Sequence, residues 1–164
     1  MLKALCPLVA IGCVVLMGEH ACAADTPSNM DAPPVVASEP DPLLTARQLI
    51  QAKQWPQVLA QLTNLLPRLA GNADVHNLLG YAYRKQATPD VDKAIEHYRR
   101  ALSIDPAHRG AHEYIGEAWL MLKQPDKARE HLDILRRLCG GTDCEEYRDL
   151  AQAVNLYMSG QARQ

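Results

Sequence analysis

Strand-like alternation of apolar and polar residues is missing from this sequence, and only 9 of its 164 residues are glycine. Those absences argue against a sheet-based core with its many tight turns. Basic charge is not in excess either. Lys and Arg number 17 against 19 Asp and Glu, for a net charge of −2, so no field draws nucleic acid or an anionic membrane. Catalytic signatures are equally wanting. The chain holds no Gly-x-Ser-x-Gly elbow, no phosphate-cradling glycine loop, no Cys-x-x-Cys-His haem motif and no His-Glu-x-x-His zinc pattern. Its few serines lie before residue 41 or at Ser103 and Ser159, with no base nearby in sequence. Paired carboxylates at Glu145-Glu146 read as a helix start, where negative charge complements the dipole. The expectation is a chain that performs no chemistry and needs no cofactor or resident metal.

An apolar run stands only at the N-terminus, from Ala4 to Met17 behind Lys3, in MLKALCPLVAIGCVVLMGEHACAAD. Its length suits a secretory h-region better than a membrane span. Ala21-Cys22-Ala23 offers small residues where a signal peptidase reads, which predicts cleavage before Ala24. Residues 1–23 are therefore expected to be a signal peptide, with an uncleaved anchor or a lipidated cysteine as alternatives. Only a retained or lipidated segment would bring the chain to a membrane. Residues 24–40, rich in proline and small polar residues, read as a flexible linker. Export to the periplasm is the expected location, the bacterial setting being inferred from the short signal.

Residues 41–164 are one domain's length, dominated by Ala, Leu, Arg, Glu and Gln, and read as all-α. Two phrases recur there. His76-Asn-Leu-Leu-Gly-Tyr-Ala-Tyr83 resembles His112-Glu-Tyr-Ile-Gly-Glu-Ala-Trp119, and Asp92-Lys-Ala-Ile-Glu-His-Tyr98 resembles Asp126-Lys-Ala-Arg-Glu-His-Leu132. The second pair is offset by thirty-four residues and the first by thirty-six, the two extra residues falling in the turn Gln86–Asp90. Insertion in a turn is what a repeat tolerates. Within each copy, Leu79 and Tyr83 share a helical face beside Gly80, where a missing side chain lets a second helix approach. Ala94, Tyr98 and Ala101 continue the stripe, and Pro106 ends the pair. The next copy supplies Ile115, Gly116, Trp119, Ala128, Leu132 and Leu135.

At these positions the chain resembles the tetratricopeptide repeat family. The resemblance implies helix-turn-helix repeats in a short right-handed superhelix, with repeats at about 41–72, 73–108 and 109–142. In the third repeat Gly140 replaces the closing proline, and the first is degenerate, with Ala46 in the glycine slot. A stripe of Tyr147, Leu150, Ala151, Val154 and Tyr157 predicts a closing helix over 144–158 that covers the last repeat, the seventh helix of the chain. The phrases Glu113–Trp119 and Cys144–Leu150 are also similar to small exported tetratricopeptide proteins of proteobacteria.

The same resemblance implies a function. First helices of successive repeats line a concave groove for a peptide, which here would present Arg47, Asn77, Tyr81, Arg84, Glu113, Tyr114 and Glu117. Mixed charge with tyrosines suggests a polar peptide carrying one or two apolar anchors. Family members that clamp a terminal carboxylate need cations where this chain has Gly110, Glu113, Tyr114 and Glu117, so that subtype is not expected. The leading expectation is an interaction scaffold for an unknown envelope protein or peptide. Self-assembly into a homo-oligomer through the repeat edge is one alternative. Metal or thiol handling by Cys139 and Cys144, with His131, is another. His76, His112, His97 and His131 are otherwise read as packing residues.

Loss of residues 1–23 removes Cys6, Cys13 and Cys22 and leaves the pair Cys139 and Cys144, which compartment favours as a disulfide. A redox-active pair or a metal site are the other readings. Gly140 and Gly141 suit a helix end, and Thr142 with Glu145, or Asp143 with Glu146, has capping-box spacing. A bond across this turn would fasten the closing helix and contribute about 2 kcal/mol.

Overall fold

Helix ends are written locally in the chain. Asn72 Oδ1 accepts from the Val75 amide at 3.2 Å, and Asp90 Oδ1 from that of Lys93 at 3.1 Å. His108 Nδ1 accepts from the Ala111 amide at 3.1 Å, so three helices begin on side-chain caps. Two others begin with proline in the first turn, where no amide hydrogen is needed. A computed structural model describes residues 41–161. The expected signal peptide and linker lie outside the described residues.

Among the described residues the chain forms seven helices and no strand. They are α1 (Leu44–Gln51), α2 (Trp55–Leu69), α3 (Ala73–Lys85), α4 (Val91–Ile104), α5 (Arg109–Met121), α6 (Pro125–Leu138) and α7 (Glu145–Gln161). The helices pair as α1–α2, α3–α4 and α5–α6, and stack as a short superhelix closed by α7. Two of the turns inside pairs are alike. Lys53 and Lys123 both take a left-handed backbone, with φ of 55° and 58°, a conformation that ends a helix. The turn from α3 to α4 is longer and extended, and the Asp90 amide reaches back to the Tyr83 carbonyl at 3.1 Å.

Small residues set the spacing of the stack. Ala46, Ala82, Ala94, Ala101, Ala111, Ala118 and Ala128 are all fully buried. A β-carbon on Gly80 would lie 2.6 Å from the Tyr98 ring and 2.9 Å from the Ala94 carbonyl, so α3 and α4 meet closer than alanine permits. Leu79, Tyr98 and Ile115 fill the space around them, each at most 2 % exposed. Half-buried Tyr83 belongs to both apolar clusters, one within α1–α3 and one spanning α4–α7. Burial of a side chain such as Leu150 is worth about 2 kcal/mol.

Pro106 is exposed and serves as a turn residue at the end of its pair. Two details differ from expectation. Leu132 is only half-buried, because it is shorter than the Tyr98 it replaces and Leu150 of α7 covers Gly116 instead. Finally, α7 begins at Glu145 and runs to Gln161, three residues past the expected end. Thr142 and Asp143 lie before that start in irregular backbone, and neither makes a capping hydrogen bond among the described residues. Cys144 takes the position at the head of the helix, its carbonyl accepting from the Arg148 amide at 3.2 Å.

Candidate functional site

Register decides which side chains share a face. Measured from the slot of Gly80 and Gly116, Asn77 of α3 corresponds to Glu113 of α5, and Leu78 to Tyr114. In the same register Ala151 of α7 takes the glycine slot, Leu150 that of Leu79 and Ile115, and Val154 that of Tyr83 and Trp119. Thus α3, α5 and α7 act as successive first helices. Their shared face divides into two zones of different electrostatic character.

The first zone is built on Arg84, which is 7 % exposed. Its guanidinium pairs with the Glu117 carboxylate from the next first helix, and its Nε donates to the Tyr98 hydroxyl at 3.3 Å. The plane lies 5.6 Å from the Tyr81 ring centre and 5.5 Å from that of Tyr114. Tyr81 and Tyr114 touch across the helix boundary with centroids 4.9 Å apart, and Trp55 meets Tyr81 edge-on at 5.9 Å. Burial raises the pKa of both Tyr98 and Tyr114, so both hydroxyls stay protonated at neutral pH. Arg84 and Glu117 therefore neutralise each other, and the surface they leave is mainly tyrosine.

Arg47 stands apart, half-exposed at the opposite end of the face. It lies 3.5 Å from Asp41 and 3.7 Å from Asp74. Asp74 also accepts from His108 Nε2 at 3.0 Å, so one carboxylate links the heads of α1, α3 and α5.

The second zone is acidic. A pocket of about 220 Å³ opens between α3, α5 and α7, lined by Asn77, Gly110, Glu113, Tyr114, Glu145, Glu146 and Asp149. Asn77 and Glu113 are 6 % and 8 % exposed. The Asn77 side-chain oxygen is buried with no donor. Burial, with Glu117, Asp149 and Glu146 nearby, pushes the Glu113 carboxyl up to about 8 against the smaller opposing pull of Arg84. Sequence reasoning named Asn77, Glu113 and Tyr114 but missed the contribution of α7. Aligning Ala151 with the glycine slot would have placed Asp149 beside Tyr114.

Histidines occupy a third arrangement, away from this face and duplicated by the repeat. Nδ1 of His76 meets Nδ1 of His97 at 3.2 Å, and Nδ1 of His112 meets Nδ1 of His131 at 2.9 Å. His76 Nε2 faces the Ala70 carbonyl and His112 Nε2 the Pro106 carbonyl, acceptors that require a proton on each nitrogen. It follows that His76 and His112 accept at Nδ1, while His97 and His131 donate. Burial lowers all four pKa values, that of His131 to about 4, so the pairs are neutral. The four Nδ1 nitrogens are thus engaged with one another.

Cys139 and Cys144 come together in disulfide geometry, their Cα atoms 5.9 Å apart. Glu146 is the third potential ligand near them, its carboxylate within 4.8 Å of the sulfurs. His131 is not part of that group. Its Nδ1 meets that of His112.

Comparison with known proteins bears on the whole stack. Two models of the tetratricopeptide repeat match, one over residues 43–109 and the other over residues 90–154. A curated relative, the E3 SUMO-protein ligase RanBP2 of Drosophila melanogaster, is 29 % identical over 118 residues. The match takes in 72 % of this chain but spans only 4 % of the relative's length. Among solved structures, the TPR2B domain of yeast Sti1 in complex with a pHsp70 peptide superposes with a TM-score of 0.64 at 19 % identity. That alignment covers 73 % of this chain and 94 % of the domain. MamA from Desulfovibrio magneticus RS-1 gives 0.56 at 23 % identity, over 63 % of this chain and 57 % of its own. At such identities the likeness concerns the fold.

Proposed function

Because this chain belongs to the tetratricopeptide repeat family, we propose that it is an interaction adaptor that holds a peptide or protein partner in its inner groove and performs no chemistry itself. The observation that carries this reading is the Tyr81–Tyr114 pair. Two half-buried aromatic rings meet across successive first helices, with a neutralised arginine beneath them, and form a ready anchor site for an apolar side chain. Complexes of Sti1 repeats with pHsp70 and pHSP90 support peptide binding as a use of this fold. A photo-crosslinking amino acid at Tyr81 should capture a partner from the native compartment, and the same group at exposed Arg100 on α4 should not. Equal capture at both positions would refute groove binding.

Export to the periplasm, with cleavage after Ala23 and oxidation of Cys139 with Cys144, completes the reading. The apolar N-terminal run and the approach of the two cysteines support it. Intact-mass measurement of the protein from its own host should show residues 24–164 less two hydrogens. Full-length mass argues against cleavage. Two free thiols would favour thiol or metal handling over a structural staple.

A further inference from the structure

We propose that the pocket between α3, α5 and α7 receives the guanidinium of an arginine carried by the partner. The proposal rests on the groove-binding reading and names the chemistry that the acidic end of the groove selects.

Charge and hydrogen bonding both point to a donor-rich cation. Four carboxylates reach the pocket, from Glu113, Glu145, Glu146 and Asp149, and no basic residue lines it. Arg109 stands at the rim, half-exposed and 3.4 Å from Glu146, and Arg84 acts on Glu113 from the neighbouring zone. Glu113 is buried yet makes no ion pair or hydrogen bond through its side chain among the described residues. A carboxylate so placed loses hydration without compensation, which an arriving cation would restore.

The Asn77 oxygen is the independent observation. It is buried, lacks a donor, and belongs to a side chain that lines the same pocket. An orphaned acceptor of this kind costs stability, and a bound N–H would remove that cost. Guanidinium offers five donors in a planar fork and no acceptor, so one group can serve Asn77 and two carboxylates together. Ammonium has only three donors around a point charge. The raised pKa of Glu113 fits an empty pocket in which a proton takes the place of the missing cation.

The test uses the full chain, labelled with ¹⁵N and titrated with N-acetyl-arginine amide and with its neutral citrulline analogue. Saturable shifts are expected at the Gly110 amide and the Asn77 side-chain amide, at least tenfold weaker with citrulline. Binding should strengthen from pH 6 to pH 8 as Glu113 gives up its proton. Combined Glu113→Gln and Asp149→Asn substitution should weaken the arginine probe at least tenfold. Equal response to citrulline, insensitivity to the double substitution, or displacement of arginine by submillimolar calcium would each overturn the proposal. If arginine binding fails while Tyr81 crosslinking persists, the groove reading stands and the pocket assignment falls.

Discussion

The two best-preserved repeats solve the same packing problem in different ways. In α3–α4 every slot is filled from within: Tyr98 of the repeat's own second helix covers Gly80, and its hydroxyl also accepts from Arg84. In α5–α6 the equivalent Leu132 leaves the gap unfilled, and Leu150 of α7 supplies what is missing, 2.6 Å from a β-carbon built on Gly116. Their inner faces differ in parallel. Arg84 in α3 finds Glu117, whereas Glu113, one helical turn away on α5, finds no cation. Self-sufficiency in the middle repeat goes with a sealed, neutral surface. Dependence on α7 in the last repeat goes with an unfilled acidic pocket.

Alanine at the two glycines breaks that comparison with the largest effect. At Gly80 the new methyl meets a tyrosine ring and a backbone carbonyl, neither of which can yield without separating α3 from α4. Overpacking of this severity costs about 3 kcal/mol, offset by about 1 kcal/mol of helix propensity. At Gly116 the obstacle is the flexible end of Leu150, which can turn aside. The net cost there should be under about 1 kcal/mol, confined to α7. Urea denaturation of the two variants measures the difference. Equal losses would mean that α7 is as rigidly seated as α4.

Glu117→Gln comes next. It removes the charge opposite the buried Arg84 guanidinium, which keeps the Tyr98 hydroxyl and the Tyr81 and Tyr114 rings as neighbours. Loss of one member of a fully buried pair costs about 3–5 kcal/mol. Glu117 keeps a quarter of its side chain in water, so about 2 kcal/mol is expected here, read as a fall in thermal midpoint. Glu117→Gln together with Arg84→Met should recover most of the loss, since no unpaired charge then remains. Failure to recover would show that the tyrosine stack needs the guanidinium itself.

Helix pairing and the core were legible in the sequence because they follow from spacing. Leu79, Gly80, Ala94, Tyr98, Ile115, Gly116, Trp119 and Ala128 recur at an offset of thirty-six in the first helices and thirty-four in the second, and each packs where the repeat register puts it. Side-chain partners were less legible, for they depend on contacts between copies that no single motif contains. Arg84 and Glu117 look like two exposed charges in the sequence, and become a buried pair once α3 and α5 stack. The acidic pocket needs α7 as well, which carries no repeat signature beyond its apolar stripe.

Glu113→Gln gives the smallest effect at pH 5 and the clearest sign. The Glu113 carboxyl is raised from 4.5 to about 8. Between those values the folded chain holds more protons than the unfolded one, so this group's contribution is fully present below pH 4.5 and is lost as pH rises through 8. The four paired histidines act in the opposite direction. Their pKa values are lowered from 6.5, so their contribution is present above 6.5 and falls away as pH drops below it. Stability of the parent chain should therefore peak on the acid side of neutrality and decline toward pH 9. Glutamine at position 113 should leave stability at pH 5 within about 0.5 kcal/mol of the parent. It should remove the decline between pH 6 and pH 9, leaving the histidine-driven fall at low pH intact. Denaturant midpoints at pH 5, 7 and 9 suffice to see this. If the alkaline decline survives the substitution, Glu113 is not its source, and the two glutamates of α5 are more alike than their surroundings imply.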